Sequence, residues 1–273
     1  MELHQLRYFV AVAEAGSFSN AARRCHVAQP SLSQQIKKLE IDLGQELFER
    51  HPSGVVLTEA GHALLPRARR VLSEVQEAAA ALRSDIDDGA GPLAVGAIPT
   101  MAPYVLPPVL APFSQRFPRC ELTVREDLTD RLIEALLAYE LDVAVLSTPI
   151  EEELVDVEVL GSERLLLAAP PGYPLPADHD VSLGALEHEP TIVVHEMHCL
   201  GQQIRSFCDA ARVRQRVVCR STQLATVQEL VALGLGISIL PEMAIAQDKD
   251  GRCCYHSLSE PQPCRDIAVA WRV

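Results

Sequence analysis

The apolar residues of this chain change their period near residue 90, and that change limits the architectures open to it. Up to that point they recur at helical spacing; from Leu93 onward short β-branched runs alternate with helical stretches. In the first part, Leu3, Leu6, Phe9, Val10 and Val12-Ala13 share one helical face. Gly16-Ser17 interrupts, and Ser19–Cys25 reads as a second, short helix. After the turn His26-Val27-Ala28, a third helix opens at Gln29-Pro30-Ser31, with Pro30 near its first position, where a missing N–H does no harm. That helix should turn Leu32, Ile36, Leu39 and Leu43 inward and Ser33, Gln34, Lys37 and Lys38 outward. Two short helices joined by a tight turn fit a helix-turn-helix, whose second helix offers polar side chains to the major groove; the pattern alone also fits an ordinary three-helix bundle. Leu47–Leu57 reads as a small hairpin, or wing, with Arg50 and His51 placed to meet phosphate.

Thr58, a plausible N-cap, opens a long helix running to about Asp87. Leu64, Ala68, Val71, Val75, Ala78 and Leu82 are spaced four, three, four, three, four, a seam suited to pairing with a twin helix, or to packing on its own domain. The acidic, then Gly/Pro-rich run from Asp85 to Pro92 marks a domain boundary.

The second part reads as strand 93–98, helix 102–117, strand 120–126, helix 129–139 and strand 141–146. A further block follows: strands 165–169 and 191–194, a helix near 202–211, strand 217–220, helix 222–233, strand 237–240 and a closing strand 267–271. Alternation of this kind implies an α/β domain with mostly parallel sheets and a ligand site at the strand carboxyl ends.

Charge is also unevenly spread along the chain. The whole chain is acidic, with formal net charge −13, which argues against a general nucleic-acid coat. Residues 1–70, however, carry nine Lys+Arg against seven Asp+Glu, leaving DNA binding open, and the acidity belongs to the rest. No apolar run is long enough for a membrane span, and the N-terminus lacks the regions of a signal peptide, so a cytoplasmic protein is expected. In that reducing compartment the eight cysteines are not expected to be structural disulfides, and with no CxxC pair no metal site or cofactor is expected.

The stretch Leu6–Ala22, continuing through Gln29-Pro30-Ser31-Leu32-Ser33-Gln34-Gln35-Ile36-Lys37-Lys38-Leu39-Glu40, Leu47-Phe48-Glu49-Arg50 and Leu57-Thr58-Glu59-Ala60-Gly61, resembles the LysR-type transcriptional regulators. The resemblance runs along the whole chain. It implies a winged helix-turn-helix at residues 1–58, a dimerising linker helix at 59–88, and a two-lobed, periplasmic-binding-protein-like α/β effector domain at 91–273. Lobe I would comprise 91–162 and 267–273, and lobe II 163–266. It also implies that Gln29, Pro30, Ser31, Ser33 and Gln34 face base edges and that Lys37 and Arg50 face phosphates. Such proteins usually run some 25 to 30 residues past the strand that ends here near Trp271, so either truncation or a naturally short chain is expected.

A narrower resemblance concerns the cysteines. His198-Cys199-Leu200, followed by Cys208 in Ser206-Phe207-Cys208, is similar to the peroxide-sensing OxyR branch of that family. There the first cysteine is the peroxidatic thiol and the second resolves it, which implies a Cys199–Cys208 disulfide, with Thr100, Thr129 and His198 cradling the peroxide. One departure is that the branch usually has Arg-Asp-Gln after the leucine, where this chain has Gly201-Gln202-Gln203. A peroxide-reactive cysteine must be a thiolate, and neighbouring cations or a helix N-terminus favour that form; His198 and a helix beginning near 202 would supply both. If 199–208 were one helix, nine steps would separate the two Cα atoms by ~13.5 Å, beyond the ~7 Å a disulfide tolerates, so bonding would require local unfolding. Two unrelated core cysteines are the plainer alternative. His195 is expected to have a structural or solvent role, and no role attaches to the other six cysteines.

The expectation is therefore a DNA-binding regulator and not an enzyme, acting on double-stranded promoter DNA as a homodimer or homotetramer, contacting RNA polymerase and responding to hydrogen peroxide. The rivals are a regulator bound by a small organic effector between its lobes, a thiol peroxidase, and a solute-binding protein.

Overall fold

The computed structural model describes residues 1–51, 54–81, 89–174, 180–248, 250–259 and 261–273. The chain forms two compact units, Met1–Gly91 with Leu137–Glu140, and Pro92–Leu136 with Leu141–Val273.

The first unit begins with helices α1 (Leu3–Ala15), α2 (Phe18–Arg24) and α3 (Gln29–Leu43). Gly16 ends α1 in the left-handed conformation, at φ 58°, which a side chain would resist. Ser17 caps α2 by accepting from the Asn20 amide at 3.4 Å. Hairpin strands β1 (Phe48–His51) and β2 (Gly54–Leu57) follow in antiparallel register. Next comes α4 (Glu59–Ala81), capped by Thr58, whose hydroxyl accepts from the Gly61 amide at 3.0 Å. Phe9, Leu32, Ile36, Leu39 and Leu47 form a closed core that also takes in Ala68. Leu43, expected to face inward, is 39% exposed: it is the last helical residue, past the point where neighbours cover that face. The seam on α4 divides. Ala68 belongs to its own unit's core, whereas Val71 and Val75 are exposed. Leu82 and the boundary residues 85–88 lie outside the described residues, as do the wing tip Pro52-Ser53 and the side chains of Arg50 and His51.

The second unit contains β3 (Gly91–Ala97), α5 (Ala102–Arg116), β4 (Cys120–Glu126), α6 (Thr129–Leu137) and β5 (Val143–Leu146). A long strand, β6 (Val155–Ala169), leads to β7 (Pro190–Val194), α7 (Cys199–Ala210), β8 (Arg216–Ser221), α8 (Leu224–Ala232) and β9 (Ser238–Pro241). Strands β10 (Cys254–His256) and β11 (Cys264–Arg272) complete it.

The sheets are mixed, which corrects the expectation of mostly parallel pairing. β3 runs parallel to β5 and β7 to β8. But β11 lies antiparallel between β5 and β6, and the second half of β6 pairs antiparallel with β9 and β10. Alternating strands and helices cannot reveal direction, and β6 and β11 are long strands that return through the domain rather than units of a helix crossover. Leu132, Leu136 and Leu146 are fully buried, and one core packs Leu165, Leu167, Ile192, Leu200, Ile204, Val227 and Ile239. No helix among the described residues is long and apolar enough to cross a membrane.

Candidate functional site

Two regions of the chain carry chemistry, one in each unit. In the first, α3 presents Gln29, Pro30, Ser31, Gln34 and Lys37 to solvent, while Ser33 is half-buried. Leu32, Ile36 and Leu39 fix the helix by their burial, so the polar positions between them face outward by spacing alone. Ala28, at the N-cap, supplies no side-chain bond, which leaves the first-turn amides to an external acceptor. Lys37, itself exposed, lies 3.4 Å from Glu40 and 3.8 Å from Glu46, pairs of small energetic weight at an exposed ammonium.

The second region forms around the start of α7. Cys199 is the first residue inside that helix, and His198 is its N-cap. The sequence reading started the helix three residues later. At Gly201 the absence of a side chain is what the packing requires: a Cβ would lie 2.5 Å from the His195 carbonyl oxygen and 2.7 Å from that of Val194. Cys199 borders a pocket of about 310 Å3 together with Thr129, Ser147, Gln202 and Gln203. Thr129 is the first residue of α6, so two helix N-termini converge on this pocket. The Gln203 amide nitrogen donates to the Ser147 hydroxyl at 3.1 Å and the Thr148 carbonyl at 2.9 Å. Among the described residues its amide oxygen and His198 Nε2 are buried with no hydrogen-bond partner, and the buried Thr129 hydroxyl has only the Cys199 sulfur. Such groups favour a polar visitor, because a buried polar atom left unmatched costs about 1–3 kcal/mol.

Thr100 and His198 are not on the wall of this pocket. Thr100 is buried and accepts from Arg265, its hydroxyl at 2.9 Å and its carbonyl at 3.0 Å. Arg265 is itself buried, donates to Glu163 at 2.6 Å, and was not singled out from the sequence. Glu163 also accepts from the Met243 amide at 3.0 Å, so the pair is well supplied with hydrogen bonds. His195 Nδ1 accepts from the Met197 amide at 3.1 Å.

The electrostatics correct a second expectation. Burial holds the Cys199 thiol above its ordinary pKa, opposed by the Arg265 charge, by the Thr129 hydroxyl and by the amides of Leu200 and Cys199. Burial also lowers the pKa of His198, so its ring is neutral near pH 7 and Arg265, not His198, is the cation acting on the sulfur. Cys208 is 2% exposed in the core beneath α7, and burial, aided by Asp209, pushes its thiol up to about 11. Both thiols are free, at opposite ends of an unbroken helix.

Comparison with known proteins agrees with this layout. Residues 3–62 match the bacterial regulatory helix-turn-helix protein, lysR family, and residues 87–273 match the LysR substrate binding domain. A hydrogen peroxide-inducible genes activator from Dickeya chrysanthemi is 36% identical over 100% of this chain and 90% of its own length. Among solved structures, a cysteine-to-aspartate variant of full-length OxyR from Pseudomonas aeruginosa is 32% identical, with TM-score 0.82, covering 100% of this chain and 89% of that one. A cysteine-to-serine variant of OxyR from Corynebacterium glutamicum, with H2O2 bound, is 32% identical at TM-score 0.64 over 99% of this chain and 86% of that one. With both domain families matched in order and relatives aligned from end to end, the chain belongs to the LysR family of bacterial regulatory helix-turn-helix proteins.

Proposed function

We propose that this protein is a DNA-binding transcription regulator switched by hydrogen peroxide through Cys199 and Cys208. The observation that carries the reading is the pocket in which Cys199 meets the Thr129 hydroxyl under the influence of buried Arg265, with a second thiol nine residues along the same helix. Peroxide resembles water in its hydrogen bonding, and Thr129 and Gln203 offer it a donor and an acceptor, with Thr100 and His198 behind them. The Cys199 thiolate attacks one peroxide oxygen; the O–O bond breaks, and the leaving hydroxide takes a proton to become water. The resulting sulfenic acid is attacked by the Cys208 sulfur, the S–O bond breaks, and a second water leaves as the disulfide forms. Two thiols and one peroxide thus become one disulfide and two waters.

The intact helix forbids this bond, since ~13.5 Å separates the two Cα atoms. Oxidation therefore requires α7 to unwind and Cys208 to leave its core seat, which makes the segment a two-state element. In this reading the refolded lobe alters how the assembled protein grips promoter DNA and meets RNA polymerase in the cytoplasm. Gln29, Pro30, Ser31, Ser33 and Gln34 read bases, and Lys37 and Arg50 hold phosphates. Exposed Val71 and Val75 on α4 support pairing with a second copy, as a dimer or, through further contacts, a tetramer. The protein acts as a switch and not as a turnover enzyme. Cys199→Ser is expected to abolish peroxide-induced transcription in cells; intact induction in that variant contradicts the proposal. A small organic effector in the same pocket is the second reading, favoured by its volume and polar wall. That reading predicts no loss of thiols on activation.

A further inference from the structure

Residues 199, 202 and 203 of α7 face the peroxide pocket; Gly201, Ile204, Arg205 and Cys208 share another face, at spacing three, one and three. That second face covers a separate cavity of about 390 Å3 between α7 and strands β7, β8 and β9, within the volume range of small-molecule sites. Ile204, Val213 and Ile239 give it apolar walls. Among the described residues two polar groups on its lining have no hydrogen-bond partner: the Ser238 hydroxyl, in a residue only 1% exposed, and the Gln215 side-chain amide nitrogen. Both can donate a hydrogen bond, so both call for an acceptor. The rim holds three guanidinium groups, Arg205, Arg214 and Arg220, against the carboxylates of Glu196 and Asp209. Glu196 takes Arg205 at 2.8 Å and Arg220 at 3.1 Å, and Asp209 takes Arg205 at 3.7 Å. Among the described residues Arg214 has no ion pair, so the rim keeps a positive surplus.

We propose that this cavity binds a small monocarboxylate with an apolar body, and that the bound molecule holds α7 helical and Cys208 in its reduced seat. A carboxylate is a pure acceptor with a negative charge, which answers Ser238, Gln215 and the arginine surplus together, while a hydrocarbon body suits the walls. The regulatory half rests on the peroxide reading above. Cys208 and Ile204 line the cavity, and both must move before Cys208 can reach Cys199. A ligand that binds only the helical arrangement opposes that motion by mass action. The site would thus set the peroxide threshold of the switch according to the supply of small organic acids.

The test uses the reduced full chain with hexanoate as the probe. Calorimetry and thermal melting are expected to show saturable binding and a raised midpoint, and hexylamine, with a like body and opposite charge, is expected to give neither. At ten times its dissociation constant, hexanoate should slow peroxide-driven loss of the Cys199 and Cys208 thiols about tenfold. Ser238→Ala combined with Gln215→Leu should weaken hexanoate at least about tenfold. Should that pair fail to fold, Ile204→Phe, which fills the cavity, is expected to abolish binding. Absence of saturable binding, equal binding of hexylamine, or undiminished affinity in these variants overturns the site. Binding without slowing overturns the regulatory role. If peroxide removes no thiols at all, the sensor reading falls, while calorimetry still decides the cavity.

Discussion

At Cys199, burial and charge pull in opposite directions. Burial favours the neutral thiol; Arg265, Thr129 and two amides favour the thiolate, and burial prevails. Only the thiolate attacks peroxide. A raised pKa therefore means that the rate of thiol loss climbs with pH and levels off only above the ordinary thiol value of 9.0, rather than being flat through neutrality. A stopped-flow pH profile that is already level at pH 7 would contradict this. Arg265→Met removes the cation from Cys199 and leaves Glu163 buried without its partner. Loss of one member of such a pair costs about 3–5 kcal/mol, read as a lower denaturant midpoint, and the pH profile should shift further upward. The proposed roles of Cys199, Cys208 and Thr129 come from their resemblance to known sensors, and the structure places Cys199 and Thr129 on one pocket. Arg265 was not legible in the sequence, because a lone charge opening a strand ordinarily faces water. Alternation gave no help either: the register shift between Ile267 and Ala268 breaks the phase, so Arg265 is buried on one parity and Ala268 and Ala270 on the other.

At the scale of elements, the proposed switch depends on α7. Its buried face is Leu200, Gly201, Ile204 and Cys208, and Gly201 lets the helix lie directly on the backbone of residues 194–195. Gly201→Ala inserts a methyl group where two carbonyl oxygens already stand. It is expected to destabilise the reduced helix by about 1–3 kcal/mol, to raise amide exchange along 199–208 and to speed disulfide formation. Unchanged exchange would show that α7 does not rest on that contact. The helices of the first unit and most strand positions followed from apolar spacing. The missed parts have a common cause. The first ten residues of β6 are largely exposed and β10 is three residues long, so neither shows an apolar run. The direction of β11 depends on pairing across distant sequence, which no local pattern records.

For the whole molecule, the division of charge noted in the sequence coincides with the division of labour. The acidic bulk lies in the domain that carries the thiols, while the mildly basic first part carries the exposed polar face of α3. Lys37→Ala should leave stability nearly unchanged, because the lysine itself is exposed. It should weaken DNA binding about equally across sequences and reduce the slope of log affinity against log salt by about one. A change confined to one base position would instead make Lys37 a base reader. The central claim, that peroxide joins Cys199 to Cys208, is tested most directly by intact mass and tryptic mapping of the full chain before and after peroxide. The account predicts a product lighter by two hydrogen atoms, in which the peptide ending at Arg205 and the peptide 206–212 are joined through those two cysteines and separate on reduction. Both thiols recovered free after peroxide, or a bond between any other pair, would contradict it.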